Sequence, residues 1–508
     1  MKLQINNLGA VGVARDVPPW QLPPNAWSSA ENARTYNGKI GNMRGYSEFT
    51  APVVPPKYTV GVVSGQYFYW VYAGDAKVYY YDGTNHNNIT RQVSGADVDY
   101  NATYPKRWNG GVLNNILVLN NEGDVPQYWN PATPATRMQD LPGWDASWRA
   151  KVVRTYKYFL VALNMTEGGA EYPYKLRWSV SADPGAVPAT WVAAPDNDAG
   201  DAILGETGGH IIDAIKLRDS LIIYKEDSAY AMTFVGGNNV FSFRRLSIPG
   251  LLAQDCAVEF RGGHFVITQN DVIVHDGQTY KSVVDGKNRD YLFGNIDTDN
   301  LSQCFVAHNE PEYELWVCYP QKGSNRPNKA LVWNYVYNTW VERDLPGVNH
   351  IAVGAKPGVI ETFDGSAGIA FDDDTGVFSS KAYQFSNTAM VGAGDSLWQF
   401  EDGFTADGAP ITVALERVGL DIGDSSDAHF IRRIYPVMEG APVNFYVGSQ
   451  NAPNDVVRWH GPFRFDPSSD YQINCFVRGR LHALKVVSEV GSPWLLERIT
   501  VEYEEAGR

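Results

Sequence analysis

Apolar and polar positions along this chain alternate in short runs that break off in turn-forming residues, and the runs return at a nearly regular interval. Tyr79-Tyr80-Tyr81 runs into Asp82-Gly83, Tyr128-Trp129 into Asn130-Pro131, and Arg177-Trp178-Ser179 onward to Asp183-Pro184-Gly185. Tyr230-Ala231-Met232 precedes Gly236-Gly237-Asn238, Ile273-Val274-His275 precedes Asp276-Gly277, and Val332-Trp333-Asn334 leads to Thr339-Trp340. These landmarks follow one another at steps of 49, 49, 53, 43 and 59 positions. A four-stranded unit cannot bury both of its faces alone, and packing such units around an axis leaves a period of this size. The uneven steps predict a diverged β-propeller.

Each period contains several strand-like runs. Tyr58 to Val63, Gln66 to Tyr72 and Val78 to Tyr81 make the first set, and comparable sets recur up to Ala330–Trp333. Six units are legible, and Ile369 to Gly376 is a candidate seventh. A boundary is expected near Phe385, where the rhythm stops. Residues 386–508 carry about eight strands of their own, and alternation in Asn444–Val447 and Ile499–Tyr503 predicts a half-buried sandwich. Residues 1–50 read as an extended N-terminal arm, stiffened by Pro18-Pro19 and Pro23-Pro24. Within it, Ala26 to Arg34 is expected to form one or two helical turns capped by Asn25, and Lys39 to Tyr46 a hairpin. The expected class is all-β: a six- or seven-bladed propeller over 51–385, with the arm before it and a C-terminal β-sandwich over 386–508.

Composition agrees with many short strands and tight turns. Of 508 residues 44% are hydrophobic and 13% aromatic, with 48 Gly and 29 Pro, which excludes a disordered chain and implies more than one domain. A net charge of −15 argues against a protein that grips nucleic acid in order to read it, though an acidic wall lets DNA slide past. Cys256, Cys304, Cys318 and Cys475 are sparse and form no C-x-x-C. Met1 to Val13 lacks an apolar secretion signal, and no run of eighteen apolar residues occurs, so no membrane-spanning segment is expected. Synthesis in a reducing cytoplasm with free thiols follows as an expectation.

Motifs of catalysis are absent. There is no H-E-x-x-H, phosphate-binding G-x-x-x-x-G-K-[ST] loop or G-x-S-x-G elbow, and Gly392-Ala393-Gly394 lacks the third glycine of a dinucleotide fingerprint. Asp196 to Asp201 resembles half a calcium loop, but Thr207 stands where the bidentate Glu belongs. Asp372-Asp373-Asp374 reads as an exposed turn. The histidines are scattered, so no metal, cofactor or catalytic residue is assigned. Trp129, Trp178, Trp333 and Trp340 sit at the landmarks and are expected to fill space between blades.

The arm carries a specific pattern: Gly12-Val13-Ala14, Asp16, Leu22-Pro23-Pro24-Asn25-Ala26-Trp27, Ala30 to Arg34, Asn37-Gly38-Lys39-Ile40 and Arg44-Gly45-Tyr46. At the far end stand Phe445 to Gln450, Trp459-x-Gly461-Pro462, Gly479-Arg480 and the terminal Gly507-Arg508. These stretches resemble the tail hub, or nozzle, proteins of short-tailed bacteriophages (podoviruses), also called packaged-DNA stabilisation proteins. Ala33 stands where that family more often has Val. The resemblance implies a non-enzymatic virion structural protein of the tail, made in the bacterial host cytoplasm. It implies a homo-oligomeric ring, most commonly a hexamer, below the portal and adaptor proteins, with tail fibre or needle proteins as further partners. Such a ring continues the DNA channel, retains the packaged genome and lets it pass at ejection. On this reading Trp20, Trp27, Asn32, Arg34, Arg44 and Tyr46 of the arm are the expected assembly interface. The alternative is a propeller that degrades or binds glycans on the bacterial surface, for which two carboxylates in a central funnel are required.

Overall fold

The computed structural model describes residues 1–65, 67–237, 239–356, 358–359, 388–423 and 427–506. Six antiparallel four-stranded units follow one another along the chain, the first of them joined by the short strand Gly358–Val359 on its second strand. The first has strands Tyr58–Ser64, Tyr67–Ala73, Val78–Tyr81 and His86–Asn88, and the second Asn109–Leu113, Ile116–Asn120, Gln127–Trp129 and Gln139–Asp140. The third runs from Arg149–Tyr156 to Gly200–Ile203, the fourth from Ile211–Leu217 to Phe241–Leu246, and the fifth from Ala257–Phe260 to Tyr280–Ser282. The sixth comprises Phe305–Asn309, Glu314–Tyr319, Lys329–Asn334 and Thr339–Asp344.

Every landmark of the sequence falls on the third strand of its sheet. The turn residue that closes a landmark works through its side chain, as short Asx residues do. Asp82 Oδ1 accepts from the backbone N–H of Thr84 (2.8 Å) and Asn85 (2.7 Å), and Asp276 Oδ1 from Gln278 (2.9 Å) and Thr279 (2.8 Å). Asn334 Oδ1 accepts from Val336 and Tyr337 at 3.0 and 3.1 Å.

A seventh sheet is composite. Strands His350–Ala355, Thr388–Ala393 and Leu397–Phe400 are completed by Tyr46–Thr50 from the N-terminal segment. It crosses both divisions expected at 50 and 385. The candidate seventh unit at 369–376 lies outside the described residues, as does Asp372–Asp374.

Adjacent sheets share buried clusters in unbroken succession. Trp129 packs on Tyr69 and Tyr80 between the first and second sheets, with ring centroids 5.8 and 5.1 Å away. Val118 and Trp191 belong to the core between second and third, Trp178 meets Phe241 (5.3 Å) between third and fourth, and Trp333 stacks on Phe265 (5.7 Å) between fifth and sixth. Phe68, Trp70 and Tyr72 of the first sheet share a cluster with Ala355, Val391 and Leu397 of the seventh. Tryptophans at the landmarks are therefore core residues, removed from water because each sheet packs its apolar faces against the sheets on either side.

In the C-terminal region two sheets contribute to one buried core. One layer joins Ala33–Tyr36, Lys39–Asn42, Trp494–Glu505, His429–Gly440 and Ile473–Gly479, with Lys2–Ile5 on the same long strand. The other joins Val413–Leu420, Leu481–Ser488, Val443–Gln450 and Arg458–Phe465. Ile473–Gly479 alternates buried and exposed without a break, the signature of a strand with one solvated face. Strand Ser29–Glu31 lies between Thr339–Asp344 and Val413–Leu420, making the sixth sheet and this layer one nine-stranded sheet.

The N-terminal segment, expected as an extended arm making assembly contacts, is woven into the sheets of its own chain. Ala26–Arg34 forms strands and not helical turns, because its residues are held in ladders by Glu342 on one side and Glu416 on the other. Two glycines of the arm motif are explained by close approach. A Cβ on Gly45 would stand 1.9 Å from the Thr405 carbonyl oxygen, and Gly12 (φ +73°) brings its backbone against Trp340, whose oxygen would be 2.7 Å from a Cβ there.

Candidate functional site

The six arm residues expected at an assembly interface separate into three groups. Trp27 is 2% exposed and donates its Nε1–H to the Leu8 carbonyl at 2.7 Å, inside the core of its own chain. It therefore anchors the arm intramolecularly, and its expected pocket on a neighbour is corrected. Asn32 and Arg34 are also internal. Asn32, at φ 55°, donates Nδ2–H to Asp344 Oδ2 (2.8 Å) and the Thr412 carbonyl (2.9 Å) and accepts from the Asp344 N–H (2.8 Å). Tyr46 is half-buried, its ring edge-on to Trp398 at 5.6 Å. Trp20 and Arg44 are exposed.

Arg34 is the hub where arm, sixth sheet and seventh sheet meet. Its Nε and Nη2 donate to the two oxygens of Glu314 (2.7 and 2.9 Å), and Nη1 and Nη2 to Glu401 (2.8 and 3.0 Å). Arg343 donates to Glu401 Oε1 (2.6 Å) and lies over the Trp316 ring at 4.1 Å. Burial opposes ionisation of Glu401, but the two guanidinium groups outweigh it and hold that carboxyl down at about 2. Glu401 also keeps a left-handed φ of 61°, an unfavourable backbone for Glu that these charge-assisted bonds maintain.

A second cluster lies where the first strands of the sheets converge. Arg154, on the third sheet, makes a bidentate pair with Asp213 of the fourth sheet at 2.7 Å in both arms, and reaches Asp255 Oδ1 at 2.7 Å. Asp255 also accepts from Arg107 at 3.4 Å and donates its backbone N–H to Asp213 (2.9 Å). Tyr58 of the first sheet packs on His350 of the seventh with centroids 4.4 Å apart. Burial raises the Asp255 carboxyl, yet Arg154 and Arg107 prevail and hold it at about 2; burial drives His350 down to about 4. A carboxylate held so low stays ionised and cannot act as a general acid, unlike the raised acid a glycosidase requires. The space where these strands meet is filled by ion pairs and aromatic rings.

Beside this plug opens a cavity of about 290 Å³. Lys57, Lys106, Arg107 and Arg326 bring positive charge to its wall, against one carboxylate, Asp75. Asn349, 9% exposed, lines it with an Nδ2 that has no hydrogen-bond partner, and the Nδ1 of His350 is equally unpaired. Sequence reading missed this site because its residues come from six separate segments and match no motif.

The histidines are less scattered than they look. His264 and His275 face each other across one hairpin, and Tyr224 from the fourth sheet bonds both, at 2.6 and 2.5 Å. The carbonyl of Lys216 accepts from His264 Nε2–H and the Gly277 N–H donates to His275 Nδ1. His275 therefore donates to the tyrosine oxygen and Tyr224 donates to His264 Nδ1, with both rings neutral. Burial lowers them to about 4 and about 3. Among the described residues no group of three His, Cys, Asp or Glu is placed to hold a metal, the four cysteines are buried and unpaired, and no helix is long and apolar enough to cross a membrane.

No family model matches the chain, and no curated protein does. Among solved structures it is similar to the extracellular domain of a one-component system from B. thetaiotaomicron, at 10% identity and TM-score 0.42 over 77% of this chain and 43% of the other. It is similar to the extracellular domain of a hybrid two-component system from the same organism at 10% identity and TM-score 0.38, over 74% of this chain and 45% of that one. PorZ, a surface component of the type-IX secretion system of Porphyromonas gingivalis, aligns at 10% identity and TM-score 0.36, over 86% and 46%. The chain spans less than half the length of each.

Proposed function

We propose that this chain is a structural component of a short bacteriophage tail, built as a seven-bladed β-propeller whose last blade is completed by an N-terminal strand, with a β-sandwich attached. The shared core between the first and seventh sheets supports closure of the ring of blades. The tail reading rests on the resemblance of the arm and of the far end to nozzle proteins, and the weave of the arm supports a load-bearing role. Several copies, six by that resemblance, form a ring below the portal and adaptor. The observation that shapes the proposal is the plugged axis: Arg154, Asp213, Asp255, Tyr58 and His350 leave no duplex-wide path through one chain. DNA therefore passes between copies, along acidic outer walls that repel phosphate. Of the six expected interface residues, Trp20 and Arg44 are the two exposed enough to touch a neighbour.

Electron microscopy and mass measurement of the purified chain, alone and with portal and adaptor, test this. Rings of about six copies, joined by interfaces above about 1,000 Å², are expected. A monomer under both conditions sinks the proposal.

A further inference from the structure

We propose that the cavity beside the axial plug binds a small acidic sugar, of the uronic acid class. This stands on the cavity alone and is independent of the ring assembly.

The site is built from loops that enter four different sheets. Lys57 leads into the first, Tyr104 to Trp108 into the second, Asn300 and Gln303 into the sixth, and Asn349 with His350 opens the seventh. Its volume of about 290 Å³ sits at the small end of ligand pockets and suits one sugar ring. Three kinds of side chain are present. Aromatic surface comes from Trp108 (5% exposed) and the Tyr58–His350 stack, with Tyr104 standing exposed at the rim. Amides come from Asn300, Gln303, Asn325 and Asn349, which can both donate to and accept from hydroxyls. Positive charge comes from four cations in a chain whose net charge is −15, so the local sign opposes the general one.

Not all of that charge is already neutralised at home. Arg326 pairs with Asp395 (2.5 Å) and Lys57 lies 3.9 Å from Asp75, while Arg107 is turned toward the Ser302 carbonyl (2.6 Å) and Asp255. Lys106 lines the cavity without an ion pair of its own within 4 Å among the described residues, although its ammonium lies beside Gly123 and is attracted by the Glu122 carboxylate. The unpaired, buried Nδ2 of Asn349 is a second sign of an unfilled role, since a buried donor without a partner normally carries a desolvation penalty. A carboxylate takes the lysine, ring hydroxyls take the amides, and the sugar's C–H face takes the aromatic wall.

Calorimetric titration with galacturonate, galactose and inorganic phosphate tests the assignment. Galacturonate is expected to bind with Kd of about 1 mM or tighter, and galactose and phosphate each at least about tenfold more weakly. Lys106→Glu should cost at least about tenfold in galacturonate affinity, and Tyr104→Ala a smaller loss, with the thermal melt of both variants unchanged. Absence of galacturonate binding, equal binding of galactose, or indifference to Lys106→Glu overturns the proposal. Phosphate binding as tightly as galacturonate also overturns it, since the sugar ring would then contribute nothing.

Discussion

The first and seventh sheets are neighbours with one shared core, yet they are assembled in opposite ways. The first is written almost wholly in one stretch, Tyr58 to Asn88, with each strand pairing the next through a short turn and only the two residues Gly358–Val359 joining from afar. The seventh gathers Tyr46–Thr50, His350–Ala355 and Thr388–Phe400 from three places in the chain. A contiguous sheet forms through local contacts, whereas a composite one must close long loops before any contact repays their entropy. The arm that supplies the missing strand also inserts Ser29–Glu31 into the junction with the sandwich, so one segment fastens both joints.

The strongest way to break that contrast is to remove residues 1–50. The seventh sheet then loses an inner pairing and the core around Trp27 is opened, so circular dichroism should show a chain that is unfolded or aggregated. A folded, cooperative truncated protein would contradict the woven-arm account. Next in size, Trp27→Ala removes a fully buried ring and should destabilise by about 3–5 kcal/mol in denaturant titration. Arg34→Ala leaves Glu314 and Glu401 buried without their shared partner and belongs to the same range, about 3–5 kcal/mol.

Acid should sharpen the comparison, because both kinds of joint contain groups with lowered protonation. His264 and His275 stay neutral in the fold down to about 4 and about 3. In the unfolded chain histidine takes up a proton near 6.5, so their contribution is complete above about 6.5 and is lost as pH falls toward 3. Glu401, held at about 2, contributes fully above its ordinary value near 4.5 and is lost as pH falls through that value toward 2. Melting temperature should therefore fall in two stages on acidification, and Tyr224→Phe should blunt the upper stage while costing about 1–3 kcal/mol at neutral pH. A single stage confined below pH 4.5 would remove the histidine pair from the account. The smallest effect on stability is expected for Trp20→Ala, within about 0.5 kcal/mol because the ring is exposed. If the proposed ring forms, the effect of Trp20→Ala should appear instead in the mass of the particles.

What could be read from the chain follows from how local the cause is. Asp82, Asp276 and Asn334 close their turns with their own side chains, so residues a few positions apart marked strands that prove to be the third of their sheets. The all-β class followed from the same short-range grammar. Ala26–Arg34 misled because its capping residue and helix-compatible composition favour a helix locally, while the strands of Glu342 and Glu416 claim its backbone from hundreds of positions away. Trp27 had the right importance and the wrong partner: a buried tryptophan in a motif looks the same whether its pocket is its own or a neighbour's.

By itself the sequence determined strand content, the period of the sheets, the turns between strands and the polarity of the surface, all of which depend on neighbours in the chain. Only the tertiary structure decided which strand completes the seventh sheet, that Arg34 and Arg343 share Glu401, that Arg154 joins Asp213 and Asp255 where the first strands meet, and that a cationic cavity opens beside them. Pairings of this kind are settled by burial and charge among residues brought together from distant segments, and no local pattern along the chain carries them.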